Sequence, residues 1–292
     1  GDLEMTKVIR TAINELAVNV TTQAQRELDE IVEVSFVGNP IMHHLLLGIN
    51  PVELGGAPFA LATDESVRIR ARDLDLTLHT NTRCYVLPCI AGHVGADTAG
   101  MILSEAPHQR EALSLLVDIG TNAEIVLGNN EHLLAASSPT GPAFEGAQIS
   151  SGQRAAPGAI ERVRIDRETL APRFQVIGSD LWSNESGFEK DTKALSVTGI
   201  CGSGIIEVIA EMYLAGILSQ DGVINGDLAA KSKHIIPDGR TFSYVLSHGK
   251  HSIQVTQNDV RAVQLAKAAL YAGIRLLMER MEIETVDRIR LA

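Results

Sequence analysis

Leu115-Leu116-Val117-Asp118-Ile119-Gly120-Thr121-Asn122-Ala123-Glu124-Ile125-Val126-Leu127 decides how the rest of the chain is read. An apolar run ends in an aspartate, a Gly-Thr-Asn turn follows, and a second apolar run begins at once, which is the pattern of a strand, a tight turn and a second strand. Gly128-Asn129-Asn130 marks another turn before Leu133-Leu134-Ala135, so the segment is expected to form an antiparallel meander. A carboxylate at the end of a buried strand can hold a hydrated magnesium ion, and the following Gly and Thr let backbone N–H and hydroxyl groups approach a phosphate. The same D-x-G-T pattern also occurs in ordinary hairpins, where the glycine supplies only a positive φ.

Outward from the meander, helical and extended patterns alternate. Upstream, Thr6 to Leu28 carries apolar residues at helical spacing. Ile31 to Val37 reads as a strand ending at Gly38-Asn39-Pro40, and Ile41 to Leu47 as a helix. Cys84 to Pro88 reads as a short strand, and Thr98 to Glu105 as a helix of small residues. The polar, proline-containing stretch Ala106 to Arg110 suggests a boundary, giving a first lobe over residues 1–108 and a second over 109–292. Downstream, strands are expected at Ile160 to Ile165, Phe174 to Ile177 and Arg288 to Leu291. Helices are expected through Leu214 and from Asn258 to Met281. This alternation predicts an α/β fold.

Composition narrows the function classes. With 45% hydrophobic and 21% charged residues over 292 positions, the chain can bury a core. Its 25 basic against 36 acidic residues leave −11, which repels a nucleic-acid backbone. No apolar run approaches the roughly 20 residues that cross a bilayer, so a cytoplasmic protein without a membrane partner is expected. Cys84, Cys89 and Cys201 are too few and too widely spaced for a disulfide framework or a metal cluster. His43 and His44 sit side by side on a helix, where neighbours diverge by about 100°, and are not expected to chelate.

Two further motifs bear on the Asp118 turn. Gly199-Ile200-Cys201-Gly202-Ser203-Gly204 runs straight into an apolar helix, where free N–H groups and the helix dipole favour an anion, although such turns also serve close packing. Gly95-Ala96-Asp97-Thr98 puts a carboxylate at a helix start, where an N-cap explains it equally well.

The order of these parts resembles the actin, sugar-kinase and heat-shock-chaperone ATPase superfamily, whose ribonuclease-H-like lobes clasp ATP between two D-x-G hairpins. The resemblance sharpens with Val37 to Gly48, Asp118 to Glu124, Thr140-Gly141-Pro142-Ala143-Phe144-Glu145-Gly146-Ala147, Ser151-Gly152 and Gly199 to Gly204. Together these look like the ATPase region of reductive activators of corrinoid proteins, which carry a [2Fe–2S] ferredoxin domain elsewhere in the chain. The resemblance implies a two-lobed actin-like fold truncated at both ends, since the family's first D-x-G-T-T hairpin would precede Gly1 and its adenosine-side Gly-Gly turn would follow Ala292. It implies that Gly120, Thr121 and Asn122 meet phosphate, that Gly202, Ser203 and Gly204 form a phosphate-side helix start, and that Asp118 holds Mg2+. Asp97 would sit near the γ-phosphate or its water, making Asp97 and Asp118 the catalytic candidates.

The implied activity is ATP-driven reduction of cobalt(II) to cobalt(I) in a corrinoid protein that serves methyl transfer, by a homodimer whose iron–sulfur domain supplies the electron. Two other readings use the same fold: a small-molecule kinase with Asp97 as general base, or a non-catalytic dimerisation and docking module.

Overall fold

Helix α1 (Asp2–Ala24) opens the computed structural model, which describes residues 2–248 and 252–291. It starts earlier and stops sooner than its apolar spacing predicts. Gln25 adopts a left-handed φ of 54°, and the Arg26 N–H turns back to the Thr21 carbonyl, so the ladder cannot continue to Leu28. Strand β1 (Glu33–Phe36) leads through Gly38 to α2 (Pro40–Leu47). The Asn39 side chain accepts the Met42 N–H at 2.9 Å, Pro40 takes the first helical position, and Gly48 closes the helix at φ 76°.

Strands β2 (Val67–Arg70) and β3 (Arg83–Val86) complete a three-stranded sheet in the order β1-β3-β2, with β1 and β3 parallel. Leu46, Ala71, Leu74, Cys84 and Val86 form its core, with Ile13 and Ala17 of α1 packed against them. Burial raises the pKa of the thiols of Cys84, in this core, and of Cys89, in a separate cluster with Leu87 and Ala96, and both sit as small apolar groups.

After α3 (Ala96–Glu105) come β4 (Ser114–Ile119), β5 (Ala123–Gly128) and β6 (Leu133–Ser138). Their connections are too short for anything but antiparallel neighbours, as the meander pattern predicts. The second part of the chain adds the hairpin β7 (Ile160–Ile165) and β8 (Pro172–Val176), the one-turn helix α4 (Phe188–Asp191) and α5 (Gly202–Leu214). It continues with β9 (Ile235–Asp238), β10 (Thr241–Ser247), β11 (Ile253–Val255) and α6 (Gln257–Arg280), and the described chain closes with β12 (Arg288–Leu291).

Two compact units result. One contains residues up to Asp118, Glu124–Ser137 and those from Leu276 onward, and the other contains Ile119–Ala123 and Ser138–Arg275. These packing units cut across the two lobes expected from the polar break near residue 108. β12 pairs in parallel with β4, Arg288 opposite Ser114 and Leu291 opposite Val117, and α3 packs on the same sheet through Met101, Leu116 and Val126. Sheet β12-β4-β5-β6 therefore stays with the first unit, through a pairing that spans more than half the sequence. Gly1 and Ala292, the outer limits of the two expected lobes, lie outside the described residues. The core of the second unit is built around Ile160, Ile205, Val208, Met212, Tyr244 and Val260. Tyr244, fully buried, donates its hydroxyl to the Leu170 carbonyl at 2.9 Å. Among the described residues no helix is long and apolar enough to cross a membrane.

Candidate functional site

The Gly120–Asn122 turn is held from two sides within the second unit. Gly120 N–H donates to the Asn122 carbonyl at 3.1 Å, and the Thr140 hydroxyl lies 3.0 Å from the Gly120 carbonyl and 3.1 Å from that of Thr121. The Thr121 N–H donates to Glu145 Oε1 at 2.8 Å. Gly120 has no positive φ, so the hairpin-glycine explanation does not hold. A Cβ there would meet only Asn122 O and Glu145 Oε1, both at 3.4 Å, which is ordinary contact.

The glycines of the second turn are placed differently. A Cβ on Gly202 would stand 1.9 Å from the Phe144 carbonyl oxygen, and one on Gly204 would stand 2.3 Å from that of Ile160. Cys201 occupies the cap position of α5 without a side-chain cap, and Ser203 Oγ lies 3.2 Å from Cys201 Sγ. Both turns therefore abut one short 3-10 segment, Pro142–Glu145: Thr121 through the Glu145 carboxylate, Gly202 through the Phe144 backbone.

An open cavity of about 590 Å3 in the same unit is lined by Ile119, Phe144, Ile206, Tyr213, Val260 and Lys267, among others. Its size suits a nucleoside-sized ligand, and its wall is mostly apolar with a lysine and a tyrosine at hand. Sequence reasoning missed these residues. A signal was present, because Ile206, Ile209 and Tyr213 make a second apolar stripe on α5, beside the buried one of Ile205, Val208 and Met212. A larger open groove of about 880 Å3 lies in the first unit beside Arg68, Arg70, Arg83 and Tyr85, but neither glycine turn lines it.

In the first unit the carboxylates gather. Asp118 is half-buried, and burial followed by the nearby negative charge of Asp97 holds its pKa above the usual range. Glu124 is raised by burial and by the charges of Asp97 and Asp118, against a hydrogen bond from Ser137 that favours its ionised form. Asp97 is not the helix N-cap, a position that falls to Gly95. Its own N–H donates to the Gly38 carbonyl at 3.2 Å, and its Oδ1 accepts the Thr98 N–H at 2.7 Å.

Oxygen donors carrying excess negative charge suit a magnesium ion. Among the described residues no three His, Cys, Asp or Glu side chains stand together as a metal site, so such an ion would draw further ligands from phosphate and water.

His43 and His44 do converge, contrary to the helical-wheel argument, with Nδ1 atoms 3.4 Å apart. The contact is not a chelate. His44 Nε2 accepts the Ala62 N–H at 3.0 Å, and His43 Nε2 is buried without a partner. Burial lowers the pKa of both rings, His43 further because of its neighbour's charge.

Comparison with known proteins divides the chain near residue 111, beside the polar break of Ala106 to Arg110. The profile of the RACo middle region matches residues 1–110, and that of the C-terminal domain of RACo, the ASKHA domain, matches residues 112–292. Corrinoid activation enzyme RamQ of Eubacterium limosum is 32% identical over 291 residues, covering 96% of this chain and 46% of the relative. The [Co(II) methylated amine-specific corrinoid protein] reductase of Methanosarcina barkeri is 28% identical over 215 residues, covering 71% of this chain and 36% of that protein. A solved reductive activator for corrinoid,iron-sulfur protein superimposes with a TM-score of 0.82 at 30% identity, over 100% of this chain and 45% of that one. The chain thus spans about half the length of these relatives or less.

Proposed function

From a chain that belongs to the RACo family, with residues 112–292 as its actin-like ATPase (ASKHA) domain, we propose that the full-length protein uses ATP to drive one-electron reduction of a corrinoid protein's cobalt(II) to cobalt(I). The observation that carries this reading is the approach of two glycine-rich turns to one segment, Pro142–Glu145, whose Phe144 also walls a cavity of nucleoside size.

In this reading the Gly120-Thr121-Asn122 turn lies against the phosphate oxygens, the Thr121 N–H turning to them from Glu145 while the Gly120 N–H stays on the Asn122 carbonyl, and the Gly202-Ser203-Gly204 start of α5 adds its unpaired N–H groups and positive dipole end. Phe144 and Tyr213 give the base an apolar surface, while Lys267 offers a counter-charge. Asp118, two residues ahead of Gly120, is the anchor for magnesium, which when bound supplies charge neutralisation on the phosphates. Asp97 orients the water or the terminal phosphate, its carboxylate held in place by the Thr98 N–H.

The electron comes from a [2Fe–2S] domain elsewhere in the full-length protein, and the cobalt takes it up without bond chemistry on this chain. The ATPase region contributes a conformational bias, since only differential binding of nucleotide to two states can drive an uphill transfer. A cytoplasmic homodimer acting on the corrinoid protein completes the reading.

The test is the spectroscopic appearance of cobalt(I) when full-length protein, a chemical reductant, the corrinoid partner and ATP are mixed. Asp118→Ala is expected to abolish the ATP-dependent signal while the iron–sulfur centre still accepts electrons. An unchanged rate in that variant overturns the ATP role.

A further inference from the structure

Glu145 occupies the donor that a phosphate would need. Its carboxylate takes the Thr121 N–H at 2.8 Å and lies over Gly120, where space for an extra methyl group remains. The residue is exposed, and among the described residues no basic side chain pairs with it. The turn does not need Glu145 to keep its shape, because the Thr140 hydroxyl holds the carbonyls of Gly120 and Thr121 independently.

Resting on the reading that this turn binds the phosphates of ATP, we propose that Glu145 is a carboxylate latch, closed on Thr121 in the absence of nucleotide and expelled by the arriving phosphate. One N–H cannot serve two anions well, and a carboxylate within contact distance of a phosphate oxygen raises the energy of the bound state. Glu145 must therefore leave for phosphate to be held.

Its departure has a mechanical consequence. Glu145 ends a 3-10 turn whose preceding carbonyl, that of Phe144, is packed against the backbone of Gly202 with no room for a single methyl group. On the other side Gly146, at φ 84°, is also tight against Gln153, where a Cβ would stand 2.6 Å from the carbonyl oxygen. A segment confined between two backbone contacts cannot move without displacing one of them. The first turn of α5 is the element beside Phe144, so any backbone movement of this segment that accompanies the release of Glu145 is passed to the start of that helix. Glu145 acts here as a positioning residue, through Phe144, rather than as a catalytic group.

The experiment is calorimetric titration of full-length protein with ATP in the presence of magnesium, and separately with adenosine, for wild type, Glu145→Gln and Glu145→Asp. Glu145→Gln keeps a hydrogen-bond acceptor for Thr121 and removes the charge, so ATP is expected to bind about five- to tenfold more tightly with adenosine affinity unchanged. Glu145→Asp keeps the charge on a side chain one methylene shorter and is expected to give a smaller gain of the same sign. A purely structural role would instead weaken ATP and adenosine together and lower the melting temperature. Unchanged or weaker ATP binding in both variants overturns the latch and leaves the nucleotide reading standing if wild type binds ATP. Failure of wild type to bind ATP overturns both.

Discussion

At Gly120 an added methyl group would find its nearest neighbours at 3.4 Å, whereas at Gly202 it would stand 1.9 Å from the Phe144 carbonyl oxygen. Both glycines lie in turns against the same short segment. Gly202 and Gly204 are glycines because backbone packs on backbone. Gly120 has neither a positive φ nor a close neighbour to require it, and what it preserves is open space beside an N–H donor. A glycine that the fold does not need is the stronger pointer to a ligand.

Substitution separates the two cases. Gly202→Ala should have the largest effect, a destabilisation on the order of 3 kcal/mol, because neither backbone can yield without moving α5 or the Pro142–Glu145 turn. Chemical denaturation of the 292-residue chain measures it, and a loss below about 1 kcal/mol would mean that the contact relaxes easily. Gly120→Ala should leave that denaturation midpoint nearly unchanged while weakening ATP binding at least about tenfold, since the new methyl group occupies the approach to Thr121. Equal ATP affinity in wild type and Gly120→Ala would remove the distinction between the turns.

Two smaller effects extend the comparison to titratable groups. The folded-state pKa values of His43 and His44 lie below the ordinary 6.5, so below that pH the unfolded chain binds more protons than the folded one. Stability contributed by these rings is complete above about 6.5 and is lost as pH falls from there toward their folded values, with a slope of at most about 1.4 kcal/mol per pH unit for each ring. His43→Leu should flatten the slope measured by denaturation between pH 7 and pH 5, which are chosen as about one unit to either side of the unperturbed histidine value.

Asp118 has the opposite sign. Its folded pKa is raised above 3.8, so the unfolded chain ionises first, and stability is lost as pH rises from there through the folded value. Asp118→Asn should therefore raise the neutral-pH melting temperature slightly, by about 2 °C, while abolishing ATP-dependent cobalt reduction in the full-length protein. A melting temperature that falls would mean that the carboxylate stabilises the fold rather than serving a ligand.

Much of this was legible locally. The meander Leu115–Ala135, the Asn39-Pro40 start and Gly48 end of α2, and the helix opening at Gly202 all follow from near-neighbour chemistry, and the structure contains each of them. Strands β2, β9, β10 and β11 were not anticipated. Val67-Arg68-Ile69-Arg70 alternates over only four residues, and the other three strands form a sheet whose partners do not announce themselves locally. In the candidate site Thr121 and Gly202 were visible as motifs, but the role of Pro142–Glu145 as their common neighbour was not, because nothing in Phe144 or Glu145 states what will lie against it.

The sequence by itself determined the α/β alternation and the family, because turns, caps and periodicity are properties of adjacent residues. Tertiary structure alone decided that β4–β6 join the first unit, since that depends on β12 finding β4 across the length of the chain. It alone decided which glycines are packed and which is open, because a missing side chain acquires a reason only from the atoms that surround it.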